Sequence, residues 1–242
     1  MLTRSGLLAA VAALFMLPAG AQALTITLSS MSSEPTTNPA GDLFADVTFS
    51  VSNCGATCDL TITIDNRTDE NGSGVTYDIN EIGFNATFAT DGADELTFLS
   101  ATHSANGDVT SGWTLFEQTG LAAQPTHLDG FGIFDFALTD GVGNSLAQVN
   151  PGTQVTFLFT APAGISDADF LAESDQTLTG DQMLKAVTLK FVEMDPIGSF
   201  TCGQEGDGEC DSAYGGAPVP EPGTGLLMGM GLVGLASRRR KR

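Results

Sequence analysis

The chain has 242 residues, room for one sizeable domain once terminal signals are set aside. Between Leu24 and Pro222 only Arg67, Lys185 and Lys190 are basic, and three bases against all 29 acids leave that stretch at a formal charge of −26. Such a surface excludes nucleic acid and anionic lipid headgroups as partners, because both are bound through Lys and Arg. It keeps an exported protein soluble and monomeric, and leaves a basic or metal-ion partner electrostatically open.

Residues 1–23 carry the pattern of a secretory signal peptide. Arg4 gives a positive start, Leu7 to Leu17 form the apolar core, and Ala21-Gln22-Ala23 is a small-x-small site at which signal peptidase would cut before Leu24. This apolar core is too short to span a bilayer, which takes roughly 20 apolar residues. A signal helix is expected here.

Period-two alternation begins directly afterwards. Val47, Phe49 and Val51 alternate with Asp46, Thr48 and Ser50, and Leu60, Ile62 and Ile64 with Thr61, Thr63 and Asp65. The pattern returns at Phe134, Phe136 and Leu138, at Val155, Phe157 and Phe159, and at Val187, Leu189 and Phe191. These segments predict half-buried antiparallel strands, apolar inward and polar outward. Further strands are expected over Leu24–Met31, Val75–Phe88, Glu95–Ala101 and Trp113–Glu117. Turn residues separate them at Asn71-Gly72, Asp91-Gly92, Asn106-Gly107, Asp140-Gly141 and Asn150-Pro151-Gly152. About ten short strands at this spacing predict an all-β antiparallel sandwich of jelly-roll type over residues 24–202. One short helix is expected at Ser166–Ser174, capped by Ser166 and with acids in its first turn. Residues 203–217 are rich in Gly and acids and read as a linker.

The last segment, 218–242, has three parts. Pro220-Glu221-Pro222 comes first, then an uncharged Gly/Leu-rich stretch to Ser237, then Arg238, Arg239, Arg240, Lys241 and Arg242. As a helix, the 16 residues from Pro222 to Ser237 would span about 24 Å, slightly short of a hydrocarbon core of about 30 Å. Local thinning or snorkelling arginines would close the gap. The basic cluster would remain on the cytoplasmic side as a stop, giving a C-terminal transmembrane helix that holds the domain on the inner membrane. The prolines keep the preceding chain extended, a form that a processing enzyme grips.

This tripartite tail resembles the PEP-CTERM protein-sorting domain, with Pro220, Glu221 and Pro222 at the family's motif. The resemblance implies cleavage near the motif by an exosortase, a membrane-embedded cysteine protease. Release or transfer to the cell surface would follow, in a bacterium that makes extracellular polysaccharide and lives in a biofilm or floc.

Four cysteines in an exported chain predict disulfides. Cys54 and Cys58 are four apart and Cys202 and Cys210 eight apart, which favours two local bridges among the three connectivities. Zinc fits poorly, since neither pair is C-x-x-C and no His lies near either. Asp69-x-Asn71-x-Ser73-Gly74 imitates the start of a calcium loop, but the twelfth position is Asn80 and the flanks read as strands. Glu205, Asp207, Glu209 and Asp211 form an acidic loop that reads as solvated.

His103, beside Ser104, and His127 are the only histidines, and no nucleophile-elbow or zinc-helix motif accompanies them. Trp113, Phe116, Phe131 and Phe134 are the aromatics that would stack on sugars, although alternation sets Trp113 on one face with Leu115. The expected protein is therefore non-enzymatic and needs no cofactor or metal. It is sorted by exosortase to the surface or the polysaccharide matrix, with exopolysaccharide or a matrix protein as partner. A carbohydrate-binding module and a secreted hydrolase are the alternatives.

Overall fold

Alternating sequences become strands where one face of each finds a second sheet to cover it. The computed structural model describes residues 23–29, 43–70, 76–89, 95–118, 127–128, 132–140, 146–173, 186–195 and 213–217. The strands among them are β1 (Leu24–Ser29), β2 (Phe44–Ser52), β3 (Thr57–Asn66), β4 (Thr76–Phe84), β5 (Thr97–His103), β6 (Gly107–Asp108) and β7 (Trp113–Glu117). They continue with β8 (His127–Leu128), β9 (Gly132–Ile133), β10 (Phe136–Asp140), β11 (Gln154–Pro162), β12 (Val187–Asp195) and β13 (Ala213–Ala217). One sheet runs β1-β2-β3-β11-β5-β6 and the other β13-β12-β4-β10-β7, with β8-β9 as a separate hairpin. Every pairing between these strands is antiparallel. The chain changes sheet between β3 and β4, β4 and β5, β6 and β7, β10 and β11, and β11 and β12.

The two inner faces make one core. The six-stranded sheet contributes Val47, Phe49 and Val51 from β2, Leu60, Ile62 and Ile64 from β3, and Val155, Phe157 and Phe159 from β11. The five-stranded sheet answers with Tyr77, Ile79, Ile82 and Phe84 from β4, Phe136 and Leu138 from β10, and Val187, Leu189 and Phe191 from β12. On β4 the buried residues pass from odd to even numbers. Glu81 pairs with Lys190 and Ile79 with Phe191, so Asn80 is an extra residue that shifts the phase.

Aromatic rings join the sheets. Phe49 stacks on Phe170 at 4.8 Å and meets Phe84 edge-on at 5.8 Å, while Phe84 stacks on Phe136 at 5.2 Å. A smaller cluster lies outside this core. Leu128 and Phe134 are buried together at Gly83, where an added Cβ would come within 2.4 Å of Leu128 Cδ1. The β8-β9 hairpin therefore rests on a glycine, because only there can it approach the sheet so closely.

At the far end, Asn66 ties the sheets by hydrogen bonds. Its side-chain amide donates to the carbonyls of Tyr77 and Val149, both at 2.6 Å, and its Oδ1 accepts from the backbone and hydroxyl of Thr68. All four bonding sites of a fully buried amide are thus used, which is what makes its burial tolerable.

Several expectations are corrected. Among the described residues no helix is long and apolar enough to cross a membrane. The only helices there are 3₁₀ turns at Thr68–Glu70, Thr110–Gly112 and Asp167–Leu171. No helix of the described residues therefore carries the expected signal helix or C-terminal transmembrane helix, nor, with the latter, the membrane as a partner and inner-membrane anchoring. Those assignments fall on 1–22 and 218–242, outside the described residues.

The helix expected at Ser166–Ser174 is the shorter 3₁₀ turn Asp167–Leu171. The Ser166 N–H and hydroxyl both donate to the Asp169 carboxylate, and Val51 N–H donates to Asp167 Oδ1 at 2.6 Å. The turn serves to place Phe170 on Phe49, and Ala172 is already extended. Residues Ala213–Ala217, assigned to a linker by composition, form edge strand β13.

Replacing Phe49 by Ala removes the ring that both sheets share, and should lower unfolding stability by about 3–5 kcal/mol. The midpoint of a urea titration followed by tryptophan fluorescence measures this.

Candidate functional site

The sorting segment starts where β13 ends, so the position of β13 fixes its point of departure. Ala217 pairs with Val187, and Val187 pairs with Phe84. In the other sheet Leu24 pairs with Phe49. Phe49 and Phe84 touch across the core, so Leu24 and Ala217 lie at one level, at the same pole of the sandwich. β1 and β13 are the neighbouring outer strands of the two sheets and adjoin each other there. The junction expected for signal peptidase and the start of the sorting segment thus share one pole.

The same pole carries the hairpin between β2 and β3, closed by a disulfide between Cys54 and Cys58 with the Cα atoms 4.1 Å apart. A loop this short gains only about 2 kcal/mol in the chain-entropy picture. It is a local clasp. With Cys54 and Cys58 joined to each other, Cys210 is the one partner left in this chain for Cys202, and both lie outside the described residues.

Trp113 does not form a sugar platform. It is 4% exposed, its Nε1 donates to the Ala147 carbonyl at 3.0 Å, and its ring meets Phe157 edge-on at 4.8 Å. Phe134 is wholly buried under the β8-β9 hairpin, Phe116 is half-buried, and Phe131 lies outside the described residues. An open groove of about 600 Å³ does run between β5 and β7, over Leu96, Phe98, Leu115 and Glu117. Within it, Glu117 Oε1 accepts the Leu96 N–H at 3.0 Å.

His103 is a structural residue of the β5-β6 hairpin. Its Nδ1 accepts the N–H groups of Ala105 and Asn106, at 3.0 and 3.2 Å, so that nitrogen carries no proton. Ser104 turns its hydroxyl to the Gln154 N–H and not to the imidazole. Burial holds the His103 pKa below its usual 6.5, against a smaller opposing pull from the Gln148 carbonyl. The serine and histidine adjacent in sequence are therefore not joined into a nucleophile and base. His127 lies in β8, apart from this hairpin.

Near the calcium-like run, Glu70 is engaged by Arg67 at 2.6 Å, which holds its carboxyl below the usual range. Arg67 also reaches Asp46 at 2.8 Å and lies over the Phe44 ring at 4.4 Å. Among the described residues no group of three or more His, Cys, Asp or Glu is placed to hold a metal ion. The second half of that run, residues 71–75, and the acidic loop from Glu205 to Asp211 lie outside the described residues.

Compared with known families, residues 218–241 match the model of the PEP-CTERM protein-sorting motif. No curated protein and no solved structure matches the chain. The chain thus carries the sorting motif that its Pro-Glu-Pro, apolar and basic segments suggest, and the match is confined to that tail.

A histidine whose folded-state pKa is lowered binds its proton more readily in the unfolded chain. Its stabilising effect is therefore complete above 6.5 and falls as pH drops below that value. Protonation of Nδ1 would also strand the Ala105 and Asn106 N–H groups. His103→Asn keeps a carbonyl oxygen for those donors without a titrating ring. Urea midpoints measured across this range should decline less steeply for the variant than for the parent.

Proposed function

We propose that this is an exported, non-enzymatic β-sandwich protein, recognised through its PEP-CTERM segment by an exosortase and delivered to the cell surface or the polysaccharide matrix. The observation that carries the reading is the match of residues 218–241 to the sorting motif, directly after the last strand of a folded domain. The signal-like residues 1–23 supply the export that such sorting presupposes, with signal peptidase acting before Leu24. Residues 24–217 are then the cargo and 218–242 the address.

The cargo's character supports a structural role. Its formal charge keeps it dispersed among other macromolecules. Its histidine of known surroundings is committed to a hairpin turn, and its tryptophan to the core. Stacking on sugar through Trp113, the premise of the carbohydrate-module alternative, loses its platform because the indole is inside. Contacts with exopolysaccharide or a matrix protein would be made by strand faces and loops rich in Thr, Ser, Asn and acids, through hydrogen bonds.

Recognition through the motif is tested by replacing Pro220, Glu221 and Pro222 together with alanine in a host that carries exosortase. The variant should persist as an uncut form, heavier than the mature parent by the tail, as read by intact mass. Equal processing of the two would reject the motif as the recognition element.

A further inference from the structure

We infer that the outer edge of β7 is a docking site for an extended, basic segment of another protein. That segment adds to the five-stranded sheet as a sixth strand and lays its apolar side chains into the groove beside β5. The docking surface lies between Glu95 and Gln118, and its recognition is independent of the sorting segment.

The sandwich has two flanks. On one, the outer strands β1 and β13 adjoin each other. On the other, β5 faces β7 across the open groove, and β6 pairs with β5 only at Thr102 and His103. No described strand pairs with the outer edge of β7. One hydrogen bond fixes which main-chain groups lie along that edge. Gln118 N–H donates to the Asp135 carbonyl at 2.8 Å, one step beyond the pair Glu117 and Phe136. Bonded and non-bonded pairs alternate along an antiparallel ladder. Phe116 and Thr114 therefore turn their main chain to β10 as Gln118 does, while Trp113, Leu115 and Glu117 turn theirs away. Trp113 N–H accordingly donates to the Thr110 carbonyl. The N–H and carbonyl of Leu115 have no main-chain partner among the described residues.

Side chains give that edge an apolar floor. Trp113 and Leu96 are buried, and Leu115 and Phe98 are half-buried against the core. A strand paired with Leu115 would set every second side chain over this floor and so extend the core sideways. β7 also lacks the devices that keep an outer strand from pairing. Its residues Trp-Thr-Leu-Phe-Glu favour strand, include no Pro, Gly or base, and meet β10 without a bulge. β5, by contrast, is irregular where Leu158 gives way to Phe159 in its partner.

Charge selects the occupant. From Glu95 to Gln118 there are three acids, Glu95, Asp108 and Glu117, and no Lys or Arg. Arg67 and Lys190 lie beside acids elsewhere in the fold. A second copy of the domain would set one strongly acidic chain against another. A segment with basic residues flanking its apolar ones meets the opposite field.

The probe is the peptide Lys-Val-Thr-Val-Thr-Val-Lys, acetylated and amidated so that only its lysines are charged. Added to the full-length chain, it should saturate one to one and change the fluorescence of Trp113, the only tryptophan, which lines the groove. Valines facing the groove stand opposite Trp113, Leu115 and Glu117, so their N–H groups point to β7. N-methylation of the three valines should weaken binding at least roughly tenfold, while N-methylation of the two threonines leaves it unchanged. Glutamate in place of both lysines should weaken it by a similar factor. Hydrogen exchange at the Leu115 amide should slow when the peptide is bound.

Absence of saturable binding would overturn the inference. Equal binding by the two methylated peptides, or by the glutamate peptide and its parent, would do so as well. A Leu115 amide already protected in the free monomer would assign the edge to the chain itself, and one protected by dimerisation without peptide would assign it to a second copy. Either result rejects a basic segment as the occupant.

Discussion

Everything in this domain depends on two sheets covering each other's apolar faces. Each sheet alone would expose a row of Phe, Ile, Leu and Val to water, at roughly 1.5–3 kcal/mol for each large side chain. Phe49, Phe84, Phe136 and Phe170 sit where the faces meet, in stacked and edge-on contacts that require both sheets and the 3₁₀ turn at once. Because the chain changes sheet five times between β3 and β12, no consecutive piece contains a complete face-to-face pair of sheets. The core therefore forms as a unit.

That core gives the molecule two unlike poles. One is fastened by buried polar groups. Asn66 bridges β3 to Tyr77 and Val149, and His103 organises the β5-β6 turn. These bonds are made inside a low-dielectric environment, where an unmade bond is expensive, so they fix the loops to one geometry. The opposite pole holds the first residue of β1, the last residue of β13, the Cys54–Cys58 clasp and the Asp167–Leu171 turn. The first residue of β1 and the last of β13 thus belong to one end, and the polar clamps to the other.

The charge pattern agrees with this division. Arg67, one of three bases between Leu24 and Pro222, is spent on holding Asp46 and Glu70 together beside Phe44. Lys190, another, lies within 4.0 Å of Glu81 across the β4-β12 ladder. Both described cations are placed between strands or at their ends, where they offset acids that the fold brings together. The formal charge of the stretch between Leu24 and Pro222 stays strongly negative even so.

The sequence by itself determined the strands of strict alternation and the address at the C-terminus. In β2, β3 and β11 every second residue is buried and, Asn66 excepted, apolar, since a strand's side-chain period of two needs no partner to be legible. The sorting motif was equally plain, because it is a local run of Pro-Glu-Pro, apolar and basic residues. Only the tertiary structure decided the rest. The shift at Asn80 depends on how β4 meets β12. The burial of Trp113 depends on Ala147 and Phe157, far away in the chain. β13 could not be foreseen from Ala-Tyr-Gly-Gly-Ala, whose glycines disfavour a strand, because its strand form comes from β12 offering a paired edge. Local pattern fixes what a segment prefers, whereas burial and edge pairing are properties of the neighbours that folding supplies.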